Sequence, residues 1–251
     1  MATFLNGSVA GPANPPGTGS SLIQTKTLQH VTFSGNRSII VPDQGLAVSD
    51  PLNFDIAPQS EIAITMYLES GQGTNLVTSH PGSRVNSWYG HGNQVSARNI
   101  TGSDVQTQQH WWFISAVETW APADTGSFVI IGDSITDGRG SINNANTRWP
   151  DLVLANMQNM TELKNIAVCN QGAGGNRVLY DGNGPSAASR VERDVIAQPG
   201  TRWAMIFEGV NDIGTSAGDD YSQMVTYQVR LFFSFVVPRL QEIGSGSADM
   251  S

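Results

Sequence analysis

The chain reads Ser127-Phe128-Val129-Ile130-Ile131 and continues as Gly132-Asp133-Ser134-Ile135-Thr136-Asp137-Gly138. The first part is an apolar run with the length and composition of a buried β-strand. The second part places a serine between two glycines, directly after that strand. Glycine permits a sharp backbone turn and leaves room for a ligand. The pattern therefore predicts a buried strand that delivers Ser134, as a candidate nucleophile, to one edge of a sheet.

Further strands and helices alternate after this point. Strands are predicted at 127–132, 165–170 and 203–208, and helices near 148–160, 186–197 and 219–229. The apolar run 231–237 could form a fourth strand or extend the last helix. Because strands that alternate with helices form parallel, doubly wound sheets, we predict an α/β domain over residues 123–251.

The chain before residue 123 has a different pattern. Short β-prone runs separated by turn signals fill residues 22–122, for example Ser38-Ile39-Ile40-Val41 followed by Pro42-Asp43-Gln44-Gly45. That spacing is typical of an antiparallel β-sandwich. Residues 7–21 are rich in Gly, Pro and Ser, and we predict a flexible segment over residues 1–21. We thus expect a flexible segment, a β-rich and sandwich-like domain, and the α/β domain, in that order.

Composition excludes several classes of function. The 251 residues carry a net charge of -8, which disfavours binding to nucleic acid or to an anionic membrane surface. Hydrophobic residues make up 39% of the chain, enough for a sizeable core, yet no run approaches the ~20 apolar residues of a membrane span. Cys169 is the single cysteine, so no intrachain disulfide forms. The first residues lack the basic and apolar regions of a signal peptide.

Three glycine-containing loops follow the three predicted strands of the α/β domain. In a parallel sheet these loops lie together at the carboxyl edge, where ligands bind. A serine that attacks an ester carbonyl creates an oxyanion, which needs hydrogen-bond donors aimed at it. The candidate donors are the backbone N–H of Ser134, the backbone N–H of Gly175 and the side-chain amide of Asn211.

These motifs resemble those of the SGNH (GDSL) hydrolase superfamily. The matching stretches are Gly132-Asp133-Ser134-Ile135, Gly175 in its glycine-rich loop, and Gly209-Val210-Asn211-Asp212. The resemblance is to secreted microbial two-domain esterases, and it extends to Ser79-His80-Pro81-Gly82-Ser83-Arg84 in the β-rich region. It implies a three-layer α/β/α domain of flavodoxin type and ester hydrolysis through an acyl-enzyme on Ser134. It also implies an extracellular location, carbohydrate or small-molecule ester substrates, and no metal or organic cofactor.

One part of the family pattern is missing. The family's general base is a histidine near the C-terminus, three residues after an aspartate, and no such Asp-x-x-His follows Asn211. The four histidines, His30, His80, His91 and His110, all precede Ser134. We therefore expect a chain truncated at both ends, with an incomplete parallel sheet and little or no activity as written. A loop carrying His80 or His91 could supply a substitute base.

Simpler interpretations accompany each candidate residue. Ser134 could cap a helix, as could Asp133 or Asp137, and Asn211 could hold a turn. Arg177 and Arg190 are expected to pair with nearby carboxylates such as Asp181, Glu192 and Asp194. Trp111, Trp112 and Trp120 could form either core or a platform for sugars.

The same motifs disfavour two other classes of site and leave one alternative function open. Arg177 interrupts the G-x-G-x-x-G pattern of the glycine-rich loop, which argues against a dinucleotide site. Thr136 occupies the last glycine position of the lipase pattern G-x-S-x-G, so the chain does not match that nucleophile elbow. A non-catalytic carbohydrate-binding module on the same scaffold remains the second functional hypothesis.

Overall fold

The structure is a computed structural model, and it describes residues 2–5, 7–10, 18–42, 45–71 and 77–215. The chain divides into two compact units. The first unit comprises residues 1–114 and 143–145, and the second comprises residues 115–142 and 146–251. The predicted helix at 219–229 and the run 231–237 lie outside the described residues. No helix in the described ranges is long and apolar enough to cross a membrane.

The first unit consists of short antiparallel strands. They are β1 (Ala2–Leu5), β2 (Gly7–Ala10), β3 (Gln29–Val31), β4 (Ser38–Val41), β5 (Ala63–Thr65), β6 (Ser79–Pro81), β7 (Ser87–Tyr89), β8 (Gln106–Gln108) and β9 (His110–Trp112). A 3₁₀ turn covers Thr25–Thr27. In the described ranges the strands form four small sheets, β1-β4, β3-β2-β5, β6-β9 and β7-β8. The antiparallel pairing agrees with the sequence pattern, but the sheets are smaller than those of a sandwich.

The N-terminal segment differs from its prediction. We predicted a flexible segment over residues 1–21, whereas β1 pairs with β4 and β2 lies between β3 and β5. Strand-favouring residues such as Thr3 and Phe4 precede the Gly/Pro-rich stretch and allow this pairing.

The second unit is an α/β domain, as the sequence predicts. Its parallel strands are β10 (Gly126–Gly132), β11 (Ile166–Gly172) and β12 (Thr201–Phe207), in the order β11-β10-β12. Its helices are α1 (Ser134–Asp137), α2 (Trp149–Met157), α3 (Ala187–Val191), which continues into a π-helical turn (Glu192–Ile196), and α4 (Val210–Thr215). The order of the three strands is that of a flavodoxin-like sheet, with β10 in the centre.

Burial of β10 on both faces fixes the position of the sheet. Val129, Ile130 and Ile131 are each 0% exposed. Val129 and Ile131 pack against Val191 of α3 and Val195 of the π-helical turn. Burying such a side chain contributes about 1.5–3 kcal/mol. The apolar run of β10 is therefore a rigid base for the turn that follows it.

Candidate active site

The three parallel strands end at the same level. In register, Gly132 of β10 is opposite Gly172 of β11 and Phe207 of β12. The loops that carry Ser134, Gly175 and Asn211 therefore all begin at the carboxyl edge of the sheet. This edge includes the point between β10 and β12 where the order of the strands reverses, the usual ligand position in open α/β sheets.

Ser134 is the first residue of α1 and is half-buried. Asp133, not Ser134, caps this helix, because its Oδ1 accepts a hydrogen bond from the N–H of Ile135 at 2.8 Å. The capping interpretation thus applies to Asp133 and leaves the Ser134 hydroxyl available. As the first helical residue, Ser134 also has a backbone N–H that lacks an intrahelical acceptor.

Close approach of backbone segments explains the glycines at the ends of β10 and β11. A Cβ on Gly172 would overlap the backbone nitrogen of Asp137, and one on Gly132 would overlap the side chain of Thr136. The N–H of Ala173 donates to the carbonyl of Gly132 at 2.9 Å. The glycine-rich loop after β11 is therefore tied directly to the turn that precedes Ser134.

Asn211 joins the third loop to the second. Its Nδ2 donates to the backbone carbonyl of Asn176 at 2.9 Å, next to Gly175. A carboxamide has two N–H groups, so the second remains for a ligand. The adjacent Asp212 accepts the N–H of Val178 at 3.1 Å on each carboxylate oxygen. Gly175 itself has a φ of 72°, which favours glycine in this turn.

Arg190 is a buried cation beneath these loops, with an exposure of 4%. Its guanidinium donates to the carbonyls of Gly132 at 3.0 Å and Gln171 at 2.7 Å. It also pairs with Asp194 at 3.1 Å and Glu208 at 3.4 Å. The predicted pairing with Asp194 is therefore present, while the pairing with Glu208 and the contacts with the strand ends were not foreseen.

Glu208 is the most perturbed carboxyl group of the site. Its side chain is 1% exposed, and its Oε2 has no hydrogen-bond partner in the described part of the chain. Burial is the main cause that raises the pKa of Glu208 to about 8; the charge of Arg190 opposes this shift, and the negative charges of Asp133 and Asp212 add to it. Burial is also the main cause of the raised pKa values of Asp133 and Asp212. Such clustered shifts are typical of functional sites.

The structure gives each predicted residue a place. Ser134 follows β10, Gly175 follows β11, and Asn211 lies in the first turn of α4. Contacts join Asn211 to the residue after Gly175, and join the turn before Ser134 to the second loop. The roles of these three residues in catalysis stay predictions.

Sequence reasoning missed Asn176 and Glu208. Asn176 is 3% exposed, and its side chain binds both Arg190 and the carbonyl of Pro185. The sequence did contain a signal for Glu208, because this residue directly follows a predicted strand. Residues at that position lie at the carboxyl edge of the sheet, where ligands bind.

The four histidines of the 251 residues, the candidate bases for Ser134, all belong to the first unit. There His91 Nδ1 lies 2.6 Å from Asp104 Oδ2, with the imidazole 97% exposed. In the described ranges no group of three or more His, Cys, Asp or Glu residues could hold a metal ion.

Comparison with known proteins gives two findings. The sequence model of the GDSL-like lipase/acylhydrolase family matches residues 130–242. A solved structure, the crystal structure of AlinE4, described as an SGNH-hydrolase family esterase, is similar at 15% identity with a TM-score of 0.34. The match covers 45% of this chain and 56% of that one, so this chain spans little more than half of its length. The comparison with curated proteins gives no match.

Proposed function

We propose that this chain belongs to the SGNH (GDSL) hydrolase superfamily, since the model of the GDSL-like lipase/acylhydrolase family matches residues 130–242, and that it is the scaffold of a serine ester hydrolase that acts through Ser134. The observation that carries the proposal is the junction of three loops at one sheet edge. Ala173 bonds to Gly132, and Asn211 bonds to Asn176. A nucleophile and two candidate donors therefore lie on connected segments.

In the proposed reaction, Oγ of Ser134 attacks the carbonyl carbon of an ester. The N–H groups of Ser134 and Gly175 and the second N–H of Asn211 stabilise the resulting oxyanion. The proton taken from Oγ by a base passes to the alcohol oxygen as the C–O bond of the ester breaks, and the alcohol leaves. Water then attacks the acyl-serine, releases the carboxylic acid and returns a proton to Oγ. Each such donor typically contributes ~2.7–4 kcal/mol to the transition state. No step of this scheme requires a metal or an organic cofactor.

The proton of Ser134 needs an acceptor, and that requirement limits the activity we expect. The 251 residues contain no histidine after Ser134. In a serine protease, removal of the catalytic histidine lowers turnover about 10⁶-fold, and oxyanion donors with binding retain only about 10³–10⁴ over water. We therefore propose that the chain as written hydrolyses esters slowly, unless a base is supplied.

For the substrate we propose a carbohydrate ester or a small-molecule ester outside the cell. The support is the resemblance to secreted esterases together with the net charge of -8, which disfavours polyanionic partners. The acyl group and the alcohol are to be found by screening p-nitrophenyl esters and acetylated polysaccharides.

A phosphonate that reacts with activated serines tests the nucleophile and the missing base together. The purified chain is incubated with the probe, with and without imidazole as a soluble base, and labelled peptides are identified by mass spectrometry. We expect slow labelling of Ser134 that imidazole accelerates in a saturable manner and that Ser134→Ala abolishes. Ser141→Ala is the matched control, because the Ser141 hydroxyl donates to Gly138 in the same unit and lies outside the proposed site.

Two outcomes would count against this proposal. Absence of Ser134 labelling at every imidazole concentration would refute the nucleophile. Rapid labelling and rapid turnover of p-nitrophenyl acetate without imidazole would instead refute the expected loss of activity, and would show that the chain contains its own base.

One observation favours the second function, a non-catalytic carbohydrate-binding module. Trp111 of β9 is 44% exposed, and its ring lies 5.4 Å from that of His80 on the paired strand. An exposed indole beside a second ring is a suitable surface for a sugar. Retardation by xylan or chitin that Trp111→Ala removes, in a chain whose Ser134 never labels, would support this function. Trp203→Ala is a control, since Trp203 is similarly exposed in the other unit.

A further inference from the structure

We propose that Arg190 is a positioning residue that holds the Gly175 loop and Asn211 in the geometry that binds an oxyanion. The inference rests on the proposed function of the same site. It assigns a role to a side chain outside the three family motifs. Arg190 lies on α3, is 4% exposed and touches the ends of all three parallel strands or the loops that follow them.

The first step of the argument is the anchorage of the guanidinium. Nη2 donates to the carbonyl of Gly132 at 3.0 Å, and Nη1 donates to the carbonyl of Gln171 at 2.7 Å. These carbonyls belong to residues at the carboxyl ends of β10 and β11, which pair with each other in the parallel sheet. The cation is thus fixed to rigid backbone two residues before Ser134.

The second step is the contact with the glycine-rich loop. Nε and Nη2 of Arg190 both donate to Oδ1 of Asn176, at 2.9 and 2.6 Å. Nδ2 of Asn176 donates to the carbonyl of Pro185 at 2.8 Å, so this side chain also connects the loop to the segment that precedes α3. The residue that Arg190 holds is the one that directly follows Gly175.

The third step extends the contact to the remaining donor. The backbone carbonyl of Asn176 accepts the hydrogen bond from Nδ2 of Asn211. Asn176 therefore receives Arg190 on its side chain and Asn211 on its backbone. Because one N–H of Asn211 is fixed in this way, the direction of the other is fixed as well. Movement of Asn176 would displace two of the three proposed donors together.

Only a guanidinium has the shape for this task. It presents five N–H groups in a planar fork, whereas a lysine ammonium is a compact point charge with three. The carboxylate of Asp194 and the carboxyl group of Glu208 lie beside the buried cation and offset the cost of its desolvation. Lysine at position 190 would keep the charge but could not reach two strands and the loop at once.

The test compares Arg190→Lys with Arg193→Lys. Arg193 lies one turn further along, pairs with the same Asp194 and is 69% exposed, and it is a matched control outside the site. Phosphonate labelling of Ser134 is measured at saturating imidazole. We expect Arg190→Lys to lower the maximal rate of labelling about 10²-fold, as misplacement of donors does, with little change in the half-saturating probe concentration. Arg193→Lys should stay within about twofold of the parent chain.

Hydrogen exchange gives a readout that does not depend on reactivity. The N–H of Asn176 donates to Ala173, and that of Val178 donates to Asp212. We expect Arg190→Lys to accelerate exchange at both amides, while the amides of β10 stay protected. Arg193→Lys should leave both unchanged. If the parent chain never labels, the proposed function fails, and exchange alone still decides whether Arg190 holds the loop.

Three results would overturn the inference. They are unchanged labelling in Arg190→Lys, unchanged exchange in its loop, and equal losses in Arg193→Lys. Should Arg190→Lys fail to fold, Asn176→Ala removes the same loop contact and leaves the guanidinium bound to the strand carbonyls. A folded Asn176→Ala chain that labels at the parent rate would then contradict the role.

Discussion

The two units hold their carboxyl groups in opposite environments. In the first unit, Asp50 accepts hydrogen bonds from the hydroxyl of Thr32 and the N–H groups of Gly35 and Ser34, and these bonds lower its pKa. In the second unit, burial raises the pKa of Glu208 to about 8. The comparison separates carboxylates that stabilise turns at the surface from a carboxyl group that is buried at the ligand edge of a sheet.

A second difference is the distribution of buried apolar side chains. In the described ranges, the first unit buries Ile23 and Val95, whereas most of the core lies around β10 of the second unit. The first unit relies instead on local contacts, such as the two hydrogen bonds between Gln94 and the backbone of Thr101. We therefore expect the second unit to be the more stable of the two, and the unit that tolerates least change.

The largest effect is expected in the core of β10. Ile131 is 0% exposed and packs against α3, so Ile131→Ala should destabilise the second unit by about 3–5 kcal/mol. The same change at Ile23, which is 8% exposed, should cost about 2 kcal/mol or less. Urea unfolding followed by hydrogen exchange in each unit measures both. Equal losses would remove the proposed difference between the units.

A smaller effect is expected from crowding at the end of β11. A Cβ on Gly172 meets backbone atoms of Thr136 and Asp137, which cannot move like a side chain, so Gly172→Ala should cost about 3 kcal/mol. Gly174 has open space around its Cβ position, and Gly174→Ala should be neutral or stabilise by up to about 1 kcal/mol. Thermal unfolding distinguishes the two. Similar melting temperatures would show that the loop and α1 are not in close contact.

The main elements of the second unit could be predicted from the sequence. The strand 127–132 and the turn after it were predictable, because an apolar run that ends in glycine has few alternative structures. The helix near 148–160 was marked by Trp149-Pro150, and the structure has it at Trp149–Met157. The carboxyl-edge position of Ser134, Gly175 and Asn211 follows from the same βα pattern.

The role of Arg190 could not be predicted, for a physical reason. Its partners include the backbone carbonyls of Gly132 and Gln171, and every residue has such a group. Gly132 lies 58 positions away along the chain, so no local spacing marks the contact. The strands of the first unit are equally hard to place, because three-residue runs carry too little periodicity to fix a register. Contacts between residues far apart in the sequence, made through backbone groups, are therefore the part of both units that the sequence does not predict.

A pH-dependent effect on the second unit is next in size. Because the pKa of Glu208 rises from 4.5 to about 8, the folded chain keeps a proton that the unfolded chain releases between these values. The contribution of Glu208 to the free energy of unfolding is therefore present below about pH 4.5 and is lost as the pH rises to about 8. Over this range the free energy of unfolding falls by at most about 1.4 kcal/mol per pH unit. Glu208→Gln should flatten this slope, measured by urea unfolding across that range.

The matched control for Glu208 is Glu162→Gln, which alters an exposed carboxyl group of the same unit. It should leave the slope of the parent chain unchanged. If Glu208→Gln retains the full slope as well, other groups cause the pH dependence, and the buried carboxyl group of Glu208 is already ionised at neutral pH.

The smallest effect, with the opposite sign, is expected at Asp50. Hydrogen bonds lower its pKa below 3.8, so its contribution to the first unit is present above that value and is lost as the pH falls through the lowered pKa. Asp50→Asn removes the negative acceptor for the N–H groups of Ser34 and Gly35, and their exchange should accelerate roughly two- to tenfold. Asp55→Asn, an exposed control nearby, should change neither amide. Acid is thus expected to destabilise the first unit, and alkaline pH to destabilise the second. If both units were destabilised at the same end of the pH scale, the comparison between them would be contradicted.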